Sequence, residues 1–158
     1  MPQTPLTISL TPIGVVRSSR QQPVDDGWDA ETCAIDLCPS LPEEALLGLD
    51  SFSHVEILYV FHAADESAVV RGARHPRGNP DWPRVGIFAQ RGKDRPNHLG
   101  ATVCRVRGVQ GRRVLLAGLD AIDGTPVVDI KPWLRELGPR GEVHQPAWVD
   151  ALMAGYWS

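Results

Sequence analysis

The chain has 158 residues, 42% of them apolar and 22% charged, which suits one globular domain with a real core and excludes a long disordered protein. No apolar run reaches the length of a bilayer span, and no basic-then-apolar leader opens the chain, so a single domain over 1–158 in the cytoplasm, away from membranes, is expected. The net charge of −3 hides an asymmetry: residues 71–113 carry eleven of the sixteen Lys and Arg against only Asp81 and Asp94, a local balance of +9. Gathered on one face, those cations would dock a polyanion such as RNA; scattered over several faces, they would only solubilise the surface.

In chain order, Leu6 to Val16 is dense in β-branched residues and reads as an extended segment, with Pro12 marking an edge or bulge. A polar loop follows from Arg17 to Gly27, and Cys33 to Leu37 alternates weakly as a short strand. Leu41 to Leu49 predicts a short helix, with Glu43 and Glu44 in its first turn and Gly48 as its cap. Phe52 to Phe61 is the strongest strand, apolar enough to suggest burial on both faces. Ala63 to Arg84 has no periodicity and reads as a long loop.

Val85 to Ala89 reads as a buried strand feeding a loop that holds Arg91, Lys93, Asp94 and Arg95. Gly92, Pro96 and Gly100 give that loop a defined shape, which suits an anionic ligand or an ordinary solvated connection. Ala101 to Val109 alternates Thr102, Cys104 and Val106 against Val103, Arg105 and Arg107, a half-buried strand. A turn at Gly111 leads into Val114 to Leu119, and Asp123-Gly124 turns into a last strand, Thr125 to Ile130. From Pro146 the chain predicts a helix with Trp148, Leu152 and Tyr156 on one stripe, read as a packing face rather than a cofactor box. About six or seven short strands with two minor helices imply a mainly β fold, an antiparallel or mixed barrel or a curled sheet.

No Gly-rich strand-to-helix turn supports a Rossmann or P-loop site, and no nucleophile elbow is present. Cys33, Cys38 and Cys104 lack metal-ligand spacing and read as free thiols; His54 and His62 lack a third ligand, so no metal is expected. Asp120, Asp123 and Asp129 form an acidic cluster in which Asp123 reads as a turn residue, Asp129 as an ion-pair partner and Asp120 as a strand-end group open to a ligand.

Four ordered motifs carry a resemblance. GIFAQRGKDRPNHLGAT, from Gly86 to Thr102, is similar to a signature GVFATRSPxRPNPIGLS, and DAIDGTPVVDIKPW, from Asp120 to Trp133, matches DxxDGTPVxDIKPY. PIGVVRS at Pro12 to Ser18 and FSHVEILYVFH at Phe52 to His62 complete the set. The chain thereby resembles the TsaA-like (YaeB/TrmO) family of S-adenosylmethionine-dependent methyltransferases. The resemblance implies a small β-barrel, a homodimer, S-adenosyl-L-methionine as donor, and N6 of threonylcarbamoyladenosine at position 37 of the tRNA anticodon arm as acceptor. It implies a donor site formed by Pro23, Val24, Asp25, His62, Ala63, Ala64, Arg91, Ala101, Gly118, Leu119 and Asp120, with Arg91 on the methionine carboxylate. Lys93, Arg95 and His98 are expected on the acceptor, and Asp129 and Asn97 are the candidates for accepting and orienting the transferred proton.

The chain departs from the signature at Gln90, Gly92-Lys93, His98 and Ala101-Thr102. His98 either changes the acceptor pocket, supplying a group that titrates near neutrality, or is only a surface replacement. Two further readings stay open: methyl transfer to a small molecule or another nucleobase, and a donor-binding module without transfer.

Overall fold

The computed structural model describes residues 4–158. Its strands are β1 (Gly14–Ser18), β2 (Cys33–Leu37), β3 (His54–Val60), β4 (Ala73–Arg74), β5 (Val85–Gly86), β6 (Leu99–Gln110), β7 (Arg113–Ala117) and β8 (Pro126–Pro132). Six of them close into a barrel in the order β1-β2-β7-β6-β3-β8, with every neighbouring pair antiparallel. β4 and β5 form a separate two-stranded ribbon.

The two-residue period of a strand fills the interior. Val16, Ile35, Val55, Ile57, Val114 and Val127 are fully enclosed, with Cys33, Leu37, Cys104 and Leu116 beside them. Burying each aliphatic side chain stabilises the fold by roughly 1.5–3 kcal/mol. β3 alternates rather than being buried on both faces as its apolar density suggested: Val55, Ile57 and Tyr59 point in, while His54, Glu56, Leu58 and Val60 are half-exposed. The reason is the architecture, since no helix layer covers the outside of this antiparallel barrel.

Two register shifts change which residues point inward. Tyr59 pairs with Val127 and Ile57 with Ile130, so three steps on β8 face two on β3 and Val128 is the extra residue. The inward phase therefore moves from Val127 to Ile130, and Asp129, which strict alternation would send inside, stays outside. On β6, Val106 pairs with Leu116 and Gly108 with Leu115, leaving Arg107 as the extra residue.

The expected helix over Leu41–Leu49 is instead two single 3-10 turns, Glu43–Leu46 and Leu49–Ser51. Pro42 starts the first turn and Gly48, left-handed at φ 85°, separates it from the second, so no α-helical run can form. The helix α1 spans only Ala147–Met153. Of the extended stretch expected over Leu6–Val16, only Gly14 onward joins a ladder; Leu6, Ile8 and Leu10 are exposed, because a closed barrel offers no free edge to pair with.

Candidate functional site

The last residues of β1, β3 and β7 and the first of β6 and β8 all come to one mouth of the barrel. There the loops after β1 and β3, the loop between β5 and β6, and the C-terminal segment surround a cleft of about 1040 Å³. That volume lies at the upper end of ordinary small-molecule sites, and it remains open with the C-terminal segment in place.

Asp120 is the polar node of the cleft. Its Oδ1 accepts from the Tyr59 hydroxyl at 3.2 Å and from the Thr102 hydroxyl, and its Oδ2 accepts from the Tyr156 hydroxyl. Tyr59 and Thr102 are buried side chains on inward positions of β3 and β6. Burial, and then the adjacent Asp120 carboxylate, raise both tyrosines above their ordinary pKa, so both stay neutral O–H donors at physiological pH. Among the described residues no cation forms an ion pair with Asp120.

Arg91 lies next to this node. Its Nη2 donates to the Ala101 carbonyl at 2.7 Å, one residue before the Thr102 that donates to Asp120. The guanidinium and the carboxylate are thus fastened to successive residues of one strand. Gln90 secures the base of the loop: it is buried, and its amide donates to the carbonyls of Arg74 and Val85 at 3.2 and 3.0 Å. Arg74 in turn binds Asp94 at 2.8 Å, and Arg95 donates to the Gln90 carbonyl at 2.6 Å.

Arg20 shapes the opposite rim. It donates to Glu31 at 2.9 Å and to the carbonyls of Val24, Asp26 and Gly27 at 2.9–3.1 Å, while stacking 4.0 Å above the Trp28 ring. One guanidinium therefore defines the course of the Pro23-Val24-Asp25 loop. Arg77 closes the rim with two bonds to the Asp26 carboxylate, at 3.0 and 3.2 Å. It does so from a left-handed backbone, φ 52°, an uncommon state for a side chain with a Cβ.

The cleft brings together Pro23, Val24, Asp25, His62, Ala63, Ala64, Arg91, Lys93, Arg95, Ala101 and Asp120. Gly118 and Leu119 do not line it: Gly118 makes the turn at φ 80°, and Leu119 is buried in the core. Asp129 is also away from it, exposed on the barrel's outside and paired with Lys131 at 2.8 Å, the consequence of the extra residue Val128. Asn97 and His98 form a left-handed turn behind the loop; His98 bonds the Lys93 carbonyl at 3.0 Å and Glu66 at 2.9 Å. The stripe expected to pack, Trp148, Leu152 and Tyr156, lines the cleft instead.

Tyr59 and Thr102 escaped the sequence reading, although each is a polar tip at an inward strand position, which is a usable signal. Arg20 and Arg77 had no local signal. The eleven basic residues also divide: Arg74, Arg77, Arg91, Lys93 and Arg95 line the cleft, whereas Arg112 and Arg113 sit at the far hairpin, about 25–30 Å along β6. No group of three or more His, Cys, Asp or Glu among the described residues is placed to hold a metal ion. No helix among them is long and apolar enough to cross a membrane.

Fold and site define a six-stranded antiparallel barrel with a loop-built cleft at one mouth, unlike the doubly wound sheets that bind nucleotides at strand switch points. Residues 15–138 match the family described as the tRNA-methyltransferase O N-terminal domain, and the chain belongs to that family. The human tRNA (adenine(37)-N6)-methyltransferase is 40% identical over 105 residues, covering 66% of this chain and 23% of that protein. A Methanothermobacter thermautotrophicus protein described as a probable S-adenosyl-L-methionine-binding protein is 34% identical over 144 residues, 86% of this chain and 97% of that one. The crystal structure of TrmO from Pseudomonas aeruginosa superposes with a TM-score of 0.71 at 32% identity, over 88% of this chain and 62% of that chain. This chain therefore spans less than a quarter of the human relative and under two thirds of the Pseudomonas structure.

Proposed function

We propose that this chain is an S-adenosyl-L-methionine-dependent methyltransferase acting on tRNA, at N6 of threonylcarbamoyladenosine at position 37. One observation carries the reading: the Arg91 loop and the Asp120 segment, far apart in sequence, border one cleft of a single protomer. The chemistry of the lining fits the donor. Arg91 is a cation suited to the methionine carboxylate, Asp120 is an acceptor without a cationic partner, and Phe61, Ala63, Ala64 and Ala101 provide apolar wall. S-adenosyl-L-methionine, when bound, supplies an electrophilic methyl group on a sulfonium centre.

The protein's part is to bind and orient. Arg91 and Asp120 offer a cation and an acceptor side by side to a zwitterionic nucleoside, and the Arg20-braced loop covers it. Lys93 and Arg95, at the cleft edge, are the cations offered to the phosphates of the acceptor. Asp129 and Asn97 stand outside the cleft, so in this reading positioning, rather than either of these two groups, carries the transfer. The reading includes a homodimer working in the cytoplasm; exposed Phe88, Leu99 and Val103, on and beside the cleft loop, support self-association.

A second reading, a module that binds the donor without transferring methyl, is favoured by the description of the Methanothermobacter relative, which this chain matches over almost its whole length. Incubation with methyl-labelled donor and total tRNA separates the two. Label in the modified adenosine, falling steeply with added salt, is the expected result. Donor binding with no label in tRNA would overturn the first reading and favour the second.

A further inference from the structure

The family match ends at residue 138, yet the chain beyond it contributes a whole side of the cleft. Trp148, Leu152, Tyr156 and Trp157 all line it. This segment is tied down rather than trailing: Gly27, Trp28 and Asp29 donate their N–H groups to the carbonyls of Gly155, Tyr156 and Trp157 at 3.2, 3.1 and 2.8 Å. Three successive rungs thus join it to the end of the loop that Arg20 braces. The cleft keeps about 1040 Å³ with the segment seated, so a nucleoside-sized ligand can enter without displacing it.

Counting acceptor sites on Asp120 sharpens the point. A carboxylate offers about four lone-pair sites. Tyr59 and Thr102 take both sites on Oδ1, and Tyr156 takes one on Oδ2. One site on Oδ2 is left. Without the Tyr156 hydroxyl, Oδ2 would keep two open sites and lose the contact that holds its side of the carboxylate, leaving a less defined target for a ligand.

We propose that Tyr156 is a positioning residue of the binding site. By holding Asp120 Oδ2 it leaves a single acceptor for one hydroxyl or N–H donor of the bound nucleoside, and the C-terminal segment is a working wall of the cleft. The inference rests on the donor-binding reading given above and adds to it a residue outside the matched family domain.

The test is calorimetric titration of the full chain with S-adenosylhomocysteine, for the wild type, Tyr156→Phe, Asp120→Ala and the double variant. Tyr156→Phe removes only the hydroxyl and is expected to raise Kd by up to about tenfold, because the ligand itself must then order the Asp120 carboxylate. In the Asp120→Ala background the same change is expected to alter Kd by less than about twofold, because a residue acting through the Asp120 carboxylate has nothing left to act on. A purely structural role would give the same factor in both backgrounds. Amide exchange at residues 27–29, the donors, reports whether each variant keeps the three rungs. Wild-type binding with an unchanged Kd in Tyr156→Phe, or equal factors in both backgrounds, overturns the proposal alone. No heat with the wild type overturns the donor reading and the proposal with it.

Discussion

Inside the barrel, Val16, Ile35, Ile57 and Val127 meet as aliphatic side chains with no polar partner to find. At the mouth, Arg20 makes several hydrogen bonds within its own loop and to Glu31, while Asp120 and Arg77 bond Tyr59 and Asp26, 61 and 51 residues away. The first region is specified by alternation and volume, the second by individual donors and acceptors. The difference teaches that fold and site can fail separately. A cavity in the interior weakens everything at once, whereas a lost bond at the mouth disturbs one loop.

Variants can break that contrast or sharpen it. Ile57→Ala, in the fully enclosed interior, should cost ~2–5 kcal/mol in a urea unfolding curve, and the variant should lose donor binding only as it unfolds. Gly100→Ala joins the two regions. A Cβ there would come within 2.5 Å of Tyr59 Cε2, so the ring that carries the hydroxyl bonded to Asp120 must shift. A loss of ~1–3 kcal/mol is expected from the overpacking, together with a larger fractional loss of donor affinity measured by calorimetry. Equal stability with intact binding would show that Tyr59 can move without cost.

Arg20→Lys keeps the charge but loses the fork that reaches Glu31 and three carbonyls. Its melting temperature should stay within a few degrees of wild type, a change of about 1 kcal/mol, while the amides of residues 24–27 exchange faster. His98→Gln should have the smallest effect, and one that depends on pH. The Lys93 carbonyl, and then Glu66, raise the His98 pKa above its ordinary 6.5. Its contribution is therefore complete below that ordinary value and lost as pH rises through the raised one. The melting-temperature gap between wild type and His98→Gln should be widest near pH 6 and close toward pH 9.

Much of the barrel was legible because its strands alternate. The division of β6 into Thr102, Cys104 and Val106 against Val103 and Arg105 is a direct image of the pleat. Asp123 is the turn residue it resembled: its carboxylate accepts from the Ser18 N–H at 3.0 Å. β3 misled because an apolar outer position such as Leu58 looks the same in sequence as an inner one. The Leu41–Leu49 stretch misled because a short apolar face suits a 3-10 turn as well as an α-helix.

The residues expected to hold the donor were picked out through their motifs, and most of them line one cleft. What holds them was not legible. Arg77 finds Asp26 across 51 residues and Tyr156 finds Asp120 across 36, pairings that no local spacing encodes. The stripe of Trp148, Leu152 and Tyr156 announced an apolar side correctly but could not say that an open cleft, rather than the core, would face it.

The unpaired Val128 has a consequence for how this gene can change length. Losing that one codon would leave Val127, Asp129 and Ile130 facing Tyr59, Leu58 and Ile57 in an uninterrupted ladder, with Ile130 still inside and Asp129 and Lys131 still outside. The strand should therefore keep its inward phase through that one deletion, whereas losing a second neighbouring residue would turn its downstream half over, Lys131 into the interior and Ile130 out to water. Spacing between the Asp-Gly-Thr-Pro turn and the Asp-Ile-Lys-Pro end can therefore contract by one residue without reversing the strand, and by no single residue more.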